Sequence, residues 1–228
     1  AEDCRASGVW RPGWTMIPNF VDTAGFHPGR DEAWRKELGI PADGIVILTV
    51  AALKRAHKRL DVLIEAVARI REQRPDLPVY LVAAGGREPD TDAVMRLAVE
   101  RLGDRACVLA DVPRHRMASL YRSADVFTLA SLTEMMPIAL LEAGASGLPC
   151  VVNDDPVLRW VAGPGAGVRA ISRADSLVDA LLTFAANASR RTTAGAAARM
   201  YCEEQFGEPA VVDRIIAYYD RVRGGDSR

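Results

Sequence analysis

The first sustained apolar signal is GIVILTVAAL at 44–53, a run rich in β-branched side chains without polar alternation. A strand of that kind needs both faces covered, as in a parallel sheet. From 57 to 72 the period changes. Leu60, Leu63, Ile64, Val67, Ala68 and Ile70 share one side and charges the other, which predicts an amphipathic helix. The same switch then recurs. It predicts strands over 78–84 (ending at Gly85-Gly86), 106–109, 125–129 and 148–152, with helices over 91–101, 114–122 and 137–146 between them. A further strand near 168–171 extends the sheet, and helices follow over 173–188, 190–205 and 208–222, the last set off by Gly207 with Pro209 in its first turn. Alternation of this kind with short connections predicts an α/β fold: a doubly wound, Rossmann-like parallel sheet of about six strands with helices on both faces. Pro, Gly and Asp cluster at 153–167, but no repeat or low-complexity tract divides the chain, so a single unit over 1–228 is expected.

Composition narrows the range of functions. At 228 residues the chain is too short for two full α/β domains. Its 29 Lys and Arg against 30 Asp and Glu leave a net charge of -1, so nothing general favours nucleic acid or an acidic membrane surface. No uncharged run approaches the roughly 18 apolar residues of a membrane span, and AEDCRASGVW is not a basic-then-apolar leader; a cytoplasmic setting is expected. Cys4, Cys107, Cys150 and Cys202 have neither the density of a disulfide scaffold nor the spacing of a zinc site, and read as reduced packing residues.

Ligands of open parallel sheets bind beyond the carboxyl ends of the strands, so the chemistry is sought in the loops. The segment AALKRAHKR (51–59) places Lys54, Arg55, His57, Lys58 and Arg59 directly after the first buried strand, at the start of a helix. Cations are mismatched to the positive end of a helix dipole, and a bound diphosphate would repair the mismatch; a solvated basic turn is the plainer alternative. In SLTEMMPIALLEAGASGLPCVV (131–152), Glu134 lies ahead of the predicted helix and Glu142 inside it. Ser131 and Glu134 also fit a capping box. Glu142, among Leu140, Leu141, Ala143 and Ala145, requires hydroxyl or amide partners, which ribose or hexose hydroxyls would supply. The amides around Met136, Pro137 and Ile138 could meet a phosphate. Gly85-Gly86 permits either a sharp turn or close approach of a ligand. Val112, Pro113, Arg114 and His115 could frame a planar base through their backbone or simply start a helix. Asp111 and His115 lack the third ligand of a metal site. GPGAG (163–167) opens no convincing helix, and neither a Walker sequence nor a serine nucleophile elbow is present.

The spacing of Glu134 and Glu142, followed by ALLEAGASGLPCVV, resembles the E-x7-E motif of the retaining glycosyltransferases of family 4, whose fold is the two-domain B type. IPNFVDTAGFHP (17–28) resembles the interdomain segment of that family, VAALKRAHKRLDVLIEAVARI (50–70) its phosphate-binding loop and first helix, and SLYRSADVFTLAS (119–131) the strand leading to the motif. The resemblance implies that the chain is the C-terminal, donor-binding half, with 1–28 as interdomain segment, 206–228 as terminal helix and the N-terminal acceptor half absent. It implies catalytic roles for Lys58, at the donor diphosphate, and Glu134, near the sugar hydroxyls. Glu142 would hold the ribose, with Arg55, Arg59, Gly85, Val112, Met136, Pro137 and Ile138 completing the donor site. The partner is a nucleotide sugar, UDP- or GDP-linked, with no tightly bound cofactor and no metal, and any membrane association would run through the missing half. Three features depart from the family pattern. Ala51-Ala52 replaces the usual Gly-Arg, Arg59 replaces the glycine after Lys58 in a loop one residue longer, and Asn153-Asp154-Asp155-Pro156 replaces a glycine-rich loop. A nucleotide-sugar epimerase of similar architecture and a non-catalytic nucleotide-binding module are the alternatives; the first requires an acid and base pair that is not evident here.

Overall fold

The computed structural model describes residues 14–169, 171 and 174–225; Cys4, the start of the interdomain segment and the last three residues of the expected terminal helix lie outside them. The strands are β1 (Ile45–Val50), β2 (Val79–Gly85), β3 (Ala106–Ala110), β4 (Val126–Thr128), β5 (Cys150–Asn153) and β6 (Gly167–Arg169). They form one six-stranded sheet in the order β3-β2-β1-β4-β5-β6, every neighbouring pair parallel. Ile45 stands opposite Val79 on β2, and Ile47 opposite Val126 on β4. The strand order reverses between β1 and β4, which marks the crevice above their carboxyl ends as the ligand position of such a sheet.

Helices cover both faces because the strands are apolar on both. Val46 and Leu48 of β1 enter one buried cluster with Tyr121, Phe127, Leu140 and Leu141, whereas Ile45 and Ile47 enter the opposite cluster with Leu60, Leu63, Ile64 and Val67. The two-residue period of a strand thus feeds two cores from one run. The helices are α1 (Glu32–Glu37), α2 (Leu60–Gln73), α3 (Thr91–Leu102), α4 (Arg114–Arg122), α5 (Ile138–Ala145), α6 (Pro156–Ala162), α7 (Ala174–Ala185), α8 (Ala188–Phe206) and α9 (Glu208–Gly225).

Two helices depart from the sequence reading. α1 is too short to show a period. It is defined by Asp31, which accepts from Trp34 N at 3.0 Å, and anchored by the buried Arg35, which donates to Gly44 O at 2.8 Å and to Asp125 Oδ2 at 2.5 Å. Asp125 also accepts from Val46 N at 2.8 Å, so one carboxylate ties α1 and β1 to the start of β4. Breaking such a buried pair from one side typically costs about 3–5 kcal/mol. α6 lies within the Pro, Gly and Asp cluster of 153–167. Asp155 caps it, accepting from Val157 N and Leu158 N at 3.0 and 3.1 Å, Pro156 occupies its first turn, and Gly163 ends it at φ +70°.

Candidate functional site

The loop between β1 and α2 forms a turn in which the basic residues precede the helix rather than begin it. His57 and Arg59 sit at φ +66° and +53°, the left-handed region, so α2 starts at Leu60 and not at 57. The lysines and arginines of the turn each have a different partner. Lys54 Nζ bonds Glu88 Oε1 at 3.2 Å. Arg55 donates to Asp90 Oδ2 from its backbone N at 3.0 Å and its Nε at 3.3 Å, and these bonds, the backbone one foremost, hold the Asp90 carboxyl below the usual range. Arg59 Nη1 donates to Ile171 O at 2.7 Å and Ala130 O at 3.3 Å, which ties the turn to the segments beyond β4 and β6. Lys58 reaches across to the next loop, where its Nζ lies 2.5 Å from Glu134 Oε1.

That second loop runs from the end of β4 to α5. Pro137 is the N-cap of α5 and no side chain caps the helix, so Ser131 and Glu134 do not form a capping box there. The carboxylate of Glu134, with only 11% of its side chain exposed, lies instead between Lys58 and His57, whose Nε2 is 3.8 Å away. Burial alone would raise its pKa, but the hydrogen bond from Lys58 and the charges of Lys58 and His57 outweigh burial and hold it below the ordinary carboxylate value. Asn153 Nδ2 donates to Leu132 O at 2.7 Å and its Oδ1 accepts from Ile171 N at 3.0 Å, which pins the loop to β5. Met136 is half-buried against the core, while Met135 is 93% exposed. Leu140 N donates to Pro137 O at 3.0 Å, whereas the amides of Ile138 and Ala139, at the very start of α5, have no acceptor within the helix.

Behind the loop, the side chain of Glu142 on α5 is only 3% exposed. A carboxylate so placed requires donors, and the chain supplies two. Tyr121 Oη lies 2.9 Å from Oε2 and 3.2 Å from Ala139 O, while Arg114 Nη1 is 2.5 Å from Oε1. Burial first, and then the charge of Glu142, push the Tyr121 phenol well above 10, so it remains a neutral donor. Arg114 and Glu142 line one cleft of about 410 Å³ together with Val50, Gly85, Gly86, Asp111, Val112, Met117, Ile138 and Ala139. Gly85 is required there for close packing. A Cβ on it would stand 1.8 Å from Ala51 O, whereas one on Gly86 would meet nothing within 4 Å. Asp111 leaves β3 at φ +55° and accepts from Arg87 N at 3.3 Å.

Of the residues singled out in the sequence, Gly85, Val112, Ile138 and Glu142 therefore line one cleft. Lys58 and Glu134 pair in the adjoining loops, with Met136 and Pro137 on the stretch that joins Glu134 to Ile138. Arg55 and Arg59 lie in the turn beside them, bonded to Asp90 and to the carbonyls of Ala130 and Ile171. Sequence reasoning did not single out Tyr121 as a functional residue and valued Arg114 only for its backbone. The signal available was Glu142 itself, a charge within an apolar helix that had to find donors elsewhere. Among the described residues no group of three or more His, Cys, Asp or Glu is placed to hold a metal ion, and no helix is long and apolar enough to cross a membrane. Cys150 and Cys202 are buried free thiols; burial pushes Cys150 far up and Cys202 up to about 12.

Solved structures share this architecture. The chain aligns with sucrose-phosphate synthase from Thermosynechococcus elongatus at a TM-score of 0.82 and 23% identity, covering 98% of this chain and 56% of that one. The structure of HepE from Anabaena in complex with UDP aligns at 0.81 and 19% identity, over 96% of this chain and 61% of that one. The C-terminal domain of the group 1 family glycosyl transferase LpcC from Francisella tularensis aligns at 0.69 and 20% identity, over 82% of this chain and 99% of that domain. The fold is thus the Rossmann-like half of a B-type glycosyltransferase. The sequence narrows the class: residues 30–201 match the family Glycosyl transferases group 1, and the chain belongs to that family. It is 32% identical over 217 residues to the D-inositol 3-phosphate glycosyltransferase of Kribbella flavida, covering 87% of this chain and 49% of that protein. The D-inositol 3-phosphate glycosyltransferase 1 of Catenulispora acidiphila is 28% identical over 91% of this chain and 52% of its own length. The chain spans about half the length of these curated relatives.

Proposed function

We propose that this chain is the donor-binding half of a retaining family 4 glycosyltransferase, working in the cytoplasm on a UDP- or GDP-sugar, with the acceptor bound by a separate N-terminal half. The observation that carries this reading is the meeting of two loops distant in sequence, Lys58 to Glu134 at 2.5 Å, beside a cleft into which the buried Glu142 opens. HepE, of like fold, is solved with UDP.

In this reading the nucleoside lies in the cleft, its base along Gly85 and Val112 and its ribose hydroxyls donating to Glu142. The diphosphate meets Lys58, Arg55 and the opening amides of α5 after Met136, Pro137 and Ile138. These groups balance its charge without a metal. Arg59 holds the turn from beneath, and would reach the donor only by releasing the carbonyls of Ala130 and Ile171. Glu134 accepts from the sugar hydroxyls. During transfer the bond from the anomeric carbon to the diphosphate breaks and a bond to the acceptor oxygen forms on the same face. The negative charge that develops on the leaving diphosphate is what Lys58 and the amides stabilise. Closure against the other half excludes water, so this half alone binds donor without efficient transfer.

Calorimetric titration with UDP-, GDP-, ADP- and TDP-sugars tests the reading, with saturable binding of a uridine or guanosine donor expected in the presence of EDTA. In the full-length protein Glu134→Gln is expected to abolish most turnover while nucleoside diphosphate still binds. Binding of NAD with no response to any sugar nucleotide would overturn the assignment.

A further inference from the structure

The two oxygens of Glu142 are served from opposite directions. Oε2 faces Tyr121, a residue with no exposed surface, whose position is set by the core through an edge-on contact with Phe26 at 5.7 Å between ring centroids. Oε1 is bonded by Arg114, whose side chain is 72% exposed and lines the cleft, with its guanidinium 5.4 Å from the ring centroid of Phe26. A ligand entering the cleft therefore meets Oε1 where Arg114 already occupies it. The two members of this pair differ sharply in exposure, which leaves the bond to Oε1 open to competition from the cleft. Here only the carboxylate is buried and the cation remains in contact with water.

We propose that Arg114 stands in for the ribose of the nucleotide: it satisfies Glu142 while the cleft is empty, and an incoming nucleoside displaces it, so that residue 114 sets the affinity for the donor. The proposal rests on the reading of Glu142 as the ribose carboxylate. A cis-diol offers two O–H donors to a carboxylate at short range, which replaces the single bond from Arg114 Nη1. Release of Arg114 costs little in hydration, because its side chain is already mostly exposed. Tyr121 continues to hold Oε2 throughout, so the carboxylate keeps its orientation during the exchange.

Removal of the stand-in has a consequence opposite to that of losing an ordinary binding residue. Arg114→Ala leaves Glu142 short of a partner in the free protein, which lowers its melting temperature, and lets ribose hydroxyls bind without competition. Titration of wild type, Arg114→Ala and Arg114→Lys with UDP, GDP and their 2′-deoxy analogues reads this directly. For whichever ribonucleotide the wild type binds, Arg114→Ala is expected to bind about 3- to 10-fold tighter, with Arg114→Lys between them, consistent with removal of one competing charge-assisted bond. The gain is expected to shrink for the 2′-deoxy analogue, which offers one hydroxyl fewer. Equal or weaker binding of the ribonucleotide by Arg114→Ala, with the wild type binding normally, overturns the stand-in and leaves the donor site intact. Absence of binding to every nucleotide by wild type and variants alike overturns the donor reading and the stand-in with it.

Discussion

Glu134 and Glu142 are eight residues apart in sequence and are held in contrasting ways. Glu134 lies on a loop and is paired by Lys58 from a different loop, 76 residues upstream, with His57 close by. Glu142 lies inside a helix, backed by a fully buried phenol and faced by an arginine whose side chain is mostly exposed. The first arrangement joins two loops and concentrates opposite charges where, in the proposed reading, a diphosphate and a sugar would meet. The second is a buried carboxylate with one partner from the core and one from the cleft, the latter being the partner proposed to exchange. Residues placed by loops suit a step that requires closure, and residues placed by the core suit a binding determinant that stays in position.

Lys58→Ala should separate the two most clearly. On the proposed function, in the full-length protein it is expected to reduce kcat by about 10²- to 10³-fold, the range for loss of one group that stabilises developing charge, while the melting temperature changes little. Steady-state kinetics beside thermal unfolding checks this, and an unchanged kcat would place the chemistry elsewhere. Glu142→Ala acts on binding instead. Loss of hydrogen bonds to a charged acceptor predicts roughly 10- to 100-fold weaker binding of UDP or GDP, read by calorimetry on this domain. Tyr121→Phe sharpens the contrast, since it removes the donor to Glu142 Oε2 and leaves the cleft surface unchanged. It should lower stability by about 1–3 kcal/mol, the cost of a buried acceptor left without its partner, which denaturant unfolding would measure.

The smallest expected effect is at acid pH. Burial would raise the pKa of Glu134, but the hydrogen bond and charge of Lys58, with the charge of His57, keep it below its ordinary value of 4.5. A carboxylate whose folded pKa lies below the unfolded one contributes stability above the unfolded value and loses it as pH falls through the folded one. The difference in unfolding midpoint between wild type and Lys58→Met should therefore persist down to about pH 4.5 and close below it, with a size of about 1 kcal/mol or less, as for other partly exposed pairs. A difference that closes well above that pH would mean that the pair does not hold the loop.

The alternation of strand and helix was readable because each buried strand is a continuous apolar run and each helix carries a stripe of 3.6-residue period, both set by neighbours in sequence. That much determined the doubly wound sheet, the crevice at its carboxyl edge and the loops that border it. α6 was not predicted, yet its signal was legible in Asp155-Pro156 followed by Val157, Leu158 and Val161, since an N-cap and a first-turn proline are local signals. α1 was not legible, because six residues capped by Asp31 and anchored by Arg35 depend on Gly44 and Asp125, contacts that exist only after folding. The same distinction runs through the site. Glu142 stood out as a charge in an apolar helix, yet only the tertiary structure shows that its donors are Tyr121 and Arg114, and that Glu134 turns toward Lys58 instead of capping α5. The sequence alone determined which elements form and where charge is out of place. Which side chains satisfy that charge was decided by the packing of α4 against α5 and by the turn after β1, because hydrogen-bond partners are chosen by distance in the folded chain and not by spacing along it.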